Sequence, residues 1–598
     1  MNLDISQFND LLVDFPASHV KDAAAIWVTK QALEDAVLER PDAWTKASVQ
    51  KRFAYCIPST ETFAGLSFDE SDRTRLYADR YGGVGIGPNG GAGRTGIVDG
   101  FQIKGIGKTP LLGKYPDNME WHFNGGMSLI DGVLEAINSE VFGHILPVGV
   151  VKVCALIYLG PEAAYMPTGD WGSERGPGAL LVRESCLRPA HFLRAAHFKV
   201  RSEYQGLIDD VERTRRVNKQ LFAQLGGHHG VIRQVGDFLS RCAQQFAFAQ
   251  AFRIWHGVLS PSNLAFDGRW LDLTNIGFVD SGVNYCSGDG QVPFYSEGVT
   301  VLKYLEEFIY TYTKYNHMEF NIKPLAKYYL EEMNAATMLY TANLLGLSAD
   351  PIEDQVAKRS LEHVTAVLRR ALEGDTRIVY GAPTGLLADP VGGVLESLFL
   401  GLAEPSKGSY DTAWHIRTLF EHKYRTGPHR CSYASFVIDA AIQSLKKAYF
   451  YTFFRSGRIA GRILELLRHE SHEFFGPYID AYADVAEWVF QKDTTASSII
   501  FSSPEWLLSY DRHSERYTVT KDRREIARLR SATELASWLR DCPATALTLD
   551  GHDFKPMLFR LLDVLDRLET LGCDREVPTP PSNASCGGPA DRSVMSAG

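Results

Sequence analysis

Four residues spread along the chain, Lys104, Glu135, Asn263 and Asp272, have the types and the order to do chemistry on a phosphate ester. Lysine supplies a cation for phosphate oxygens, and glutamate an anion that can hold that lysine in place. Asparagine and aspartate supply oxygens suited to a divalent metal. Ahead of the four runs Tyr81-Gly82-Gly83-Val84-Gly85-Ile86-Gly87-Pro88-Asn89-Gly90-Gly91-Ala92-Gly93-Arg94. So much glycine sacrifices backbone entropy without giving side chains to pack, so the segment reads as a loop that lets backbone approach something closely. Taken singly, each residue has an ordinary use: a strand-end charge, a solvated helix position, or a turn former. Their order along one chain is what points to chemistry.

Each of them needs an element to place it. Gly100 to Lys104 is a short apolar strand with the lysine at its end. Val133, Leu134, Ile137 and Val141 fall at helical spacing within Asp131–Val141, which puts Glu135 on a helix, and strands resume through Val148–Leu159. His256-Gly257-Val258-Leu259-Ser260-Pro261-Ser262-Asn263 is followed, one hairpin's length on, by Asp272 inside a short apolar run, the spacing of a catalytic loop and a metal-binding aspartate. An early helical stretch is expected near Ala23–Leu38. Later ones are expected over 205–225, 235–255, 298–315, 323–347, 353–374, 432–468 and 478–491. Glycine loop, strand, helix and strands ahead of a helical body predict an α+β, two-lobed, protein-kinase-like fold with a glycine-rich N-terminal lobe and an enlarged helical C-terminal lobe. The expected divisions are a 1–80 extension packing on the N-terminal lobe, that lobe over 81–200, the helical lobe with the catalytic loop over 201–475, a C-terminal helical region over 476–575, and a disordered tail over 576–598 rich in Pro, Ser and Gly.

Composition narrows the functions available. The 598 residues, 45% hydrophobic and 22% charged, suit a folded chain of more than one packed unit. With 62 Lys+Arg against 72 Asp+Glu the net charge is -10, so no global basic field holds nucleic acid or an anionic membrane, and any phosphate site is local. The apolar stretch His144–Gly160 is interrupted by Lys152 and falls short of the roughly 20 residues a membrane span needs. It reads as buried strands. Nine scattered cysteines without zinc spacing, and an N-terminus without the order of a signal peptide, fit a reduced, cytoplasmic protein.

Three other motifs fail on physical grounds. Gly85-x-Gly87-x-x-Gly90 is followed by a strand, whereas a dinucleotide fold needs a helix opening on the loop. Gly107-Lys108-Thr109 lacks the earlier glycine of a Walker loop, which falls on Gln102, and runs into Pro110. His469-Glu470-Ser471-His472 is one residue short of placing two imidazoles on a helix face at i and i+4, and His228-His229, between Gly227 and Gly230, reads as a turn.

The chain resembles the selenoprotein O family of pseudokinases, which transfer AMP rather than phosphate. That family's glycine loop opens on Tyr-Ala-Gly-His, closes on Gly-Asp-Gly-Arg and leads to Leu-Lys-Gly-Ala-Gly-x-Thr-Pro; here the residues are Tyr81-Gly82-Gly83, Gly91-Ala92-Gly93-Arg94 and Ile103-Lys104-Gly105-Ile106-Gly107-Lys108-Thr109-Pro110. Its helix with Arg-Glu-x-x-x-Ser-Glu is similar to Leu134–Glu140, its His-Gly-Val-Met-Asn-Thr-Asp-Asn loop to His256–Asn263, and its Asp-Tyr-Gly-Pro-Phe-Gly-Phe-Met-Asp to Asp272–Asp280. The likeness covers about 81 to 280, and no diagnostic block follows.

The resemblance implies Lys104 and Glu135 as the nucleotide-holding pair, Asn263 and Asp272 as Mg2+ ligands, and Gly91, Gly93 and Arg94 as the loop around ATP. It implies two arginines on the terminal phosphates of an ATP bound in reversed orientation, one being Arg194 and the other Arg183, which fits better than Arg188. The acceptor would be a protein, peptide or small molecule.

One position departs from the pattern. Where the family has an aspartate before the loop asparagine, proposed to activate an incoming hydroxyl, this chain has Ser262. A serine hydroxyl is no useful base near neutral pH. Asp267 and Asp280 are the substitutes within reach in sequence. A carboxylate acceptor, already ionised, removes the need for a base and would give an acyl-adenylate; a nucleotide-binding scaffold without turnover is the other reading. Cys586 stands alone in the tail, so the family's redox pair is not evident.

Overall fold

The computed structural model describes residues 3–30, 44–115, 123–168, 172–287, 292–347, 354–373, 377–380, 390–404, 410–423, 430–469, 471–490, 497–543, 547–549 and 552–571. The fold is mixed α+β, with one large antiparallel sheet and many helices.

Eight strands build the sheet: β1 (Leu12–Val20), β2 (Ala24–Val28), β3 (Tyr55–Cys56), β4 (Phe68–Asp79), β5 (Thr95–Val98), β6 (Phe101–Lys104), β7 (Val153–Thr168) and β8 (Gly172–Glu184). In space they run β2-β7-β8-β6-β5-β4-β1-β3, each neighbour antiparallel. Because side chains alternate across a strand, the pairing of Gln102 with Arg183 and of Lys104 with Leu181 puts all four on one face, while Ile103 and Val182 point to the other. The second face is covered by α1 (Lys46–Phe53) and the residues around it, where Trp44, Phe53 and Phe101 pack edge to face. The first is covered by α2 (Leu129–Ile145).

Ser128 caps α2, its hydroxyl accepting from Asp131 N at 3.1 Å. Most of this helix is buried, its polar residues Glu135, Asn138 and Ser139 included, because helices close over its other side.

The helices that follow in the chain are α3 (Asp210–Gln224), α4 (His228–Ala251), α5 (Thr300–Asn316), α6 (Lys323–Leu344), α7 (Gln355–Glu373), α8 (Pro390–Ala403), α9 (Tyr410–Lys423), α10 (Tyr433–Phe450), α11 (Ser456–His469) and α12 (Phe475–Phe490), of which α11 and α12 pack on α2. Two short strands, β9 (Ile254–Trp255) and β10 (Gly277–Phe278), pair antiparallel and frame the loop between them. β11 (Val283–Ser287) pairs parallel with β12 (Arg377–Tyr380). Four further strands, β13 (Ser497–Ser502), β14 (Trp506–Asp511), β15 (Arg516–Lys521) and β16 (Arg524–Leu529), form a meander packed with α13 (Ala532–Asp541) and α14 (Lys555–Leu571). At the sheet's edge, Trp27 on β2 donates from Nε1 to Asp480 Oδ1 of α12 at 2.9 Å.

Several sequence expectations are corrected. Residues 1–80 are no extension laid on a lobe, since they supply β1 to β4 of the sheet itself. Ala24–Val28 is a strand rather than helix, for Ala-Ala-Ile-Trp-Val buries side chains on both faces; 31–38 lie outside the described residues. The stretch 432–468 breaks at Tyr451–Arg455 into α10 and α11. The 476–575 region is not wholly helical, because 497–529 form the meander. His228 and His229 open α4 rather than making a turn, Gly227 taking the cap position at φ 101°. α8 and α9 are additions, and the 576–598 tail lies outside the described residues.

Candidate functional site

The sheet face under α2 carries a chain of buried polar side chains. Lys104 Nζ lies 2.6 Å from Glu135 Oε2 and also pairs with Asp272 Oδ1, so β6, α2 and the segment after the loop meet on one ammonium. Glu135 Oε1 accepts from Arg183 Nη1 at 3.1 Å, and Arg183 Nε donates to Gln102 Oε1 at 2.8 Å. Gln102 Oε1 also accepts from Arg188 Nη2 at 3.2 Å, and Gln102 Nε2 donates to Asp79 Oδ1 at 3.0 Å. Asp79 Oδ2 meets His191 Nε2 at 3.0 Å. Since His191 Nδ1 accepts from the Arg188 backbone N–H at 2.9 Å, Nε2 carries the ring proton and donates it to Asp79.

The charges in this chain hold one another. Burial is the largest influence on Asp79 and would raise its pKa, but Arg188 and His191 outweigh it and bring it down to about 2. Burial pushes His191 below its ordinary value, which keeps it neutral. Asp272 is held well below the carboxylate range, since Lys104, Arg183 and Arg94 together outweigh its burial. Its backbone is left-handed at φ 63° and ψ 61°, which costs roughly 1 kcal/mol and turns its carboxylate to the lysine. Its side chain is still 39% exposed, whereas those of Lys104 and Glu135 are almost wholly buried.

The loop after β9 is fixed from below. Glu297 accepts from the backbone N–H groups of His256 and Gly257 at 3.0 and 2.9 Å, and burial raises its pKa to about 7. His256 Nε2 donates to Leu271 O at 3.1 Å, tying the loop to the approach to Asp272, and burial lowers its pKa to about 4. Asn263 donates from Nδ2 to Val258 O at 2.8 Å, and among the described residues no donor meets its Oδ1. Leu271 N donates to Asn263 O at 3.2 Å, so the two candidate metal ligands come from adjoining strands of backbone.

The glycine segment lies over this loop. A side chain on Gly82 would collide with the Arg194 carbonyl at about 2.1 Å, and Gly91 would meet the Asp79 carbonyl at 2.2 Å, so both admit only glycine. Gly82 N donates to Ala190 O at 2.9 Å and Gly83 N to Arg194 O at 3.2 Å. Gly83 borders Leu193 and Pro261, and Gly85 borders Ser260. The 189–195 segment beneath is held by α3, where Arg213 donates to the carbonyls of His191 and Leu193, each at 2.6 Å.

The remaining sequence candidates divide. Gly93 packs on Leu112, and Arg94 donates from Nη1 to Gly126 O at 3.0 Å. Arg183 joins the cluster as the partner of Glu135. Arg194 is exposed, and it is its backbone that meets the glycine segment. Arg188, set aside in the sequence comparison, donates from Nη1 to Ser262 O at 3.1 Å and lies 5.0 Å over the Tyr81 ring, so it links the loop to the glycine segment. Its Nε is buried without a partner among the described residues. Ser262 exchanges a hydrogen bond with Ser260 at 2.9 Å. Neither substitute carboxylate joins it: Asp267 pairs with Arg269 at 2.8 Å, and Asp280 is buried against Arg455.

Arg188, weighed in the sequence only as the lesser alternative to Arg183, and His191, Asp79, Gln102 and Glu297 are not placed at the site by sequence reasoning. The faint signal for the first two is Arg188-Pro189-Ala190-His191, a turn that folds the imidazole back on the arginine's own N–H. A cavity of about 510 Å3 lined by Gln234, Arg241, Asp267 and Arg269 lies apart and contains none of the clustered residues. No protein-family model matches the chain, and no curated protein matches it either.

Proposed function

We propose that the chain binds ATP with Mg2+ beside Lys104 and transfers AMP to an acceptor. The observation that carries this is the single ammonium shared by Glu135 and Asp272. A lysine oriented by a helix glutamate and set beside a partly exposed carboxylate is an arrangement that receives phosphates and a metal together. Strand order supports a kinase-like lobe: β4-β5-β6-β8-β7 lie side by side, the glycine segment joins β4 to β5, the lysine ends β6, and the glutamate follows on α2. In that frame β2 extends one edge, and β1 and β3 the other. The resemblance to selenoprotein O supplies the direction of transfer.

Donor chemistry fits Mg2+. Asp272 offers its second oxygen and Asn263 its Oδ1, both hard ligands, and the metal when bound would screen the phosphate charges. Lys104 holds phosphate, Glu135 holds Lys104, Arg183 holds Glu135, and Arg188, lying over the Tyr81 ring, is better placed than Arg183 for a phosphate near the glycine segment.

Ser262 shapes the acceptor. With Asp267 and Asp280 committed to arginines, neither serves a hydroxyl acceptor as general base, whereas a carboxylate acceptor needs none. One of its oxygens forms the new bond to the α-phosphorus, the bond to the β-phosphate bridging oxygen breaks, and pyrophosphate leaves with that electron pair. An acyl-adenylate results. The second reading, a nucleotide-binding scaffold, is favoured by the same serine.

Incubation with α-labelled and, separately, γ-labelled ATP, Mg2+, hydroxylamine as a trap, and a glutamate-rich peptide or casein as probe acceptors separates the two. Pyrophosphate release with α-label on product supports transfer, and ATP bound but intact in every condition supports the scaffold. Turnover surviving both Lys104→Ala and Asp272→Ala would overturn the site.

A further inference from the structure

Away from the sheet, α7 and α9 bring three metal-ligating side chains together: His363 on α7, and Asp411 and His415 on α9. Asp411 and His415 stand at i and i+4, so they share one helix face, and α7 packs against that helix. His363 Nε2 lies 3.2 Å from Asp411 Oδ2, and His415 Nε2 lies 3.7 Å from Asp411 Oδ1. The two imidazoles stack with centroids 4.1 Å apart. His415 Nδ1 is engaged by Ser360 Oγ at 3.0 Å, which fixes the ring and leaves Nε2 facing the other two groups. Exposure falls from Asp411 at 59% through His363 at 28% to His415 at 15%, so the cluster opens to solvent on the carboxylate side.

An ordinary helix seam has little reason for this group. Around it α7 buries Ala357, Leu361, Val364 and Leu368, and α9 buries Ala413 and Ile416, an apolar packing that two stacked imidazoles interrupt. A tetrahedral zinc ion with ligands at about 2.0–2.2 Å needs its donor atoms roughly 3.3–3.5 Å apart. The two nitrogen–oxygen separations, one to each oxygen of the Asp411 carboxylate, bracket that span, and one donor atom from each of the three residues lies within 4.8 Å of the others. Two imidazoles and one carboxylate are borderline ligands that suit Zn2+ better than Mg2+ or Ca2+.

We propose that His363, Asp411 and His415 bind one Zn2+, which ties α7 to α9 and keeps its fourth position open toward solvent. The site is separate from the Lys104 cluster and does not depend on the ATP reading.

The test uses the full chain, stripped with a chelator and dialysed. Zinc is titrated in competition with a chromophoric chelator, Co2+ is added as a spectroscopic probe, and melting is followed with and without zinc. Wild type should take up one zinc per chain in a tight class, give the visible bands of tetrahedral cobalt, and melt higher with zinc. His363→Ala and Asp411→Asn should each lose the tight class and the zinc-dependent shift while keeping wild-type circular dichroism. Ser360→Ala should weaken affinity about 10-fold. No tight zinc in wild type, or tight zinc retained by both ligand variants, would overturn the site and leave a histidine–aspartate ion pair. Should His363→Ala fail to fold, Asp411→Asn, at the exposed side of the cluster, decides the matter alone.

Discussion

The sheet under α2 and the C-terminal bundle of α10, α12 and the meander both bury large side chains and both bury charges, but they arrange them differently. Under α2 the interior holds Lys104, Glu135, Arg183, Arg188, Asp79 and His191, linked partner to partner. In the bundle Phe450, Phe453, Phe501 and Phe554 pack together, with Phe453 stacked on Tyr482 at 4.5 Å, and the buried charges of α10 lie beside them, Lys446 donating to the Ile499 carbonyl at 2.8 Å and Asp439 pairing with Arg512 at 3.3 Å. Apolar burial stabilises wherever shapes match, whereas a buried charge costs desolvation that its partners must offset. Only the sheet face runs its charges side chain to side chain up to a carboxylate that is partly exposed, Asp272; on the proposed function those groups are held for use, and the aromatic bundle holds the frame.

Substitutions can break that contrast. The largest effect is expected at the polar face: Lys104→Ala or Asp272→Ala should lower AMP transfer by about 1000-fold, the scale on which a positioned charge acts on a phosphoryl group. Asn263→Ala, which leaves every buried ion pair intact, should do the same while costing only about 1 kcal/mol of stability, that of its hydrogen bond to Val258 O. Next, Phe453→Ala should cost about 4 kcal/mol in denaturant unfolding while ATP affinity stays as in wild type. A change in nucleotide binding there would erase the distinction between frame and site.

Ser262→Asp sharpens the comparison by gain. Restoring a carboxylate should raise transfer to hydroxyl acceptors roughly 100-fold and leave carboxylate acceptors little changed; equal gains on both would argue against a carboxylate substrate. The smallest effect concerns acid. Asp79 titrates at about 2 in the fold and at its ordinary value of 3.8 when unfolded, so protons bind the unfolded chain first as pH falls. Its contribution, about 2 kcal/mol, is present above pH 4 and disappears as pH drops toward 2. The difference between wild-type and Asp79→Asn unfolding curves should shrink by that amount across this window.

Much of the site was legible because its parts are local. Lys104 at a strand end, Glu135 on an apolar-spaced helix and Asn263 one hairpin before Asp272 announce themselves through spacing that secondary structure enforces. Gln102, Asp79 and Arg188 do not, because they meet through the register of β6 on β8 and the fold of β4 beside them, which no local pattern encodes. The meander carried a signal: Tyr517 and Val519 are buried between Arg516, Thr518 and Thr520 in strand alternation. What hid it is the turn. Asp522 and Arg523 both take positive φ, 49° and 63°, the conformation of a two-residue hairpin turn that usually reads Asn-Gly. Ala24–Val28 was misread because a strand buried on both faces has no alternation to display.

The bond from Trp27 to Asp480 reaches beyond stability. It rivets the outermost strand on that side of the sheet to α12, while α2 is gripped between sheet and helices. The sheet is thus fastened to the helices at its rim and along its middle. The glycine segment is fastened at its start by Gly82 N to Ala190 O and Gly83 N to Arg194 O, and toward its end by Gly90 N to Leu111 O and Ala92 N to Asp79 O, which leaves Val84 to Gly87 as the stretch between these anchors. On the proposed function, phosphates would enter beneath that stretch, where Gly85 borders Ser260.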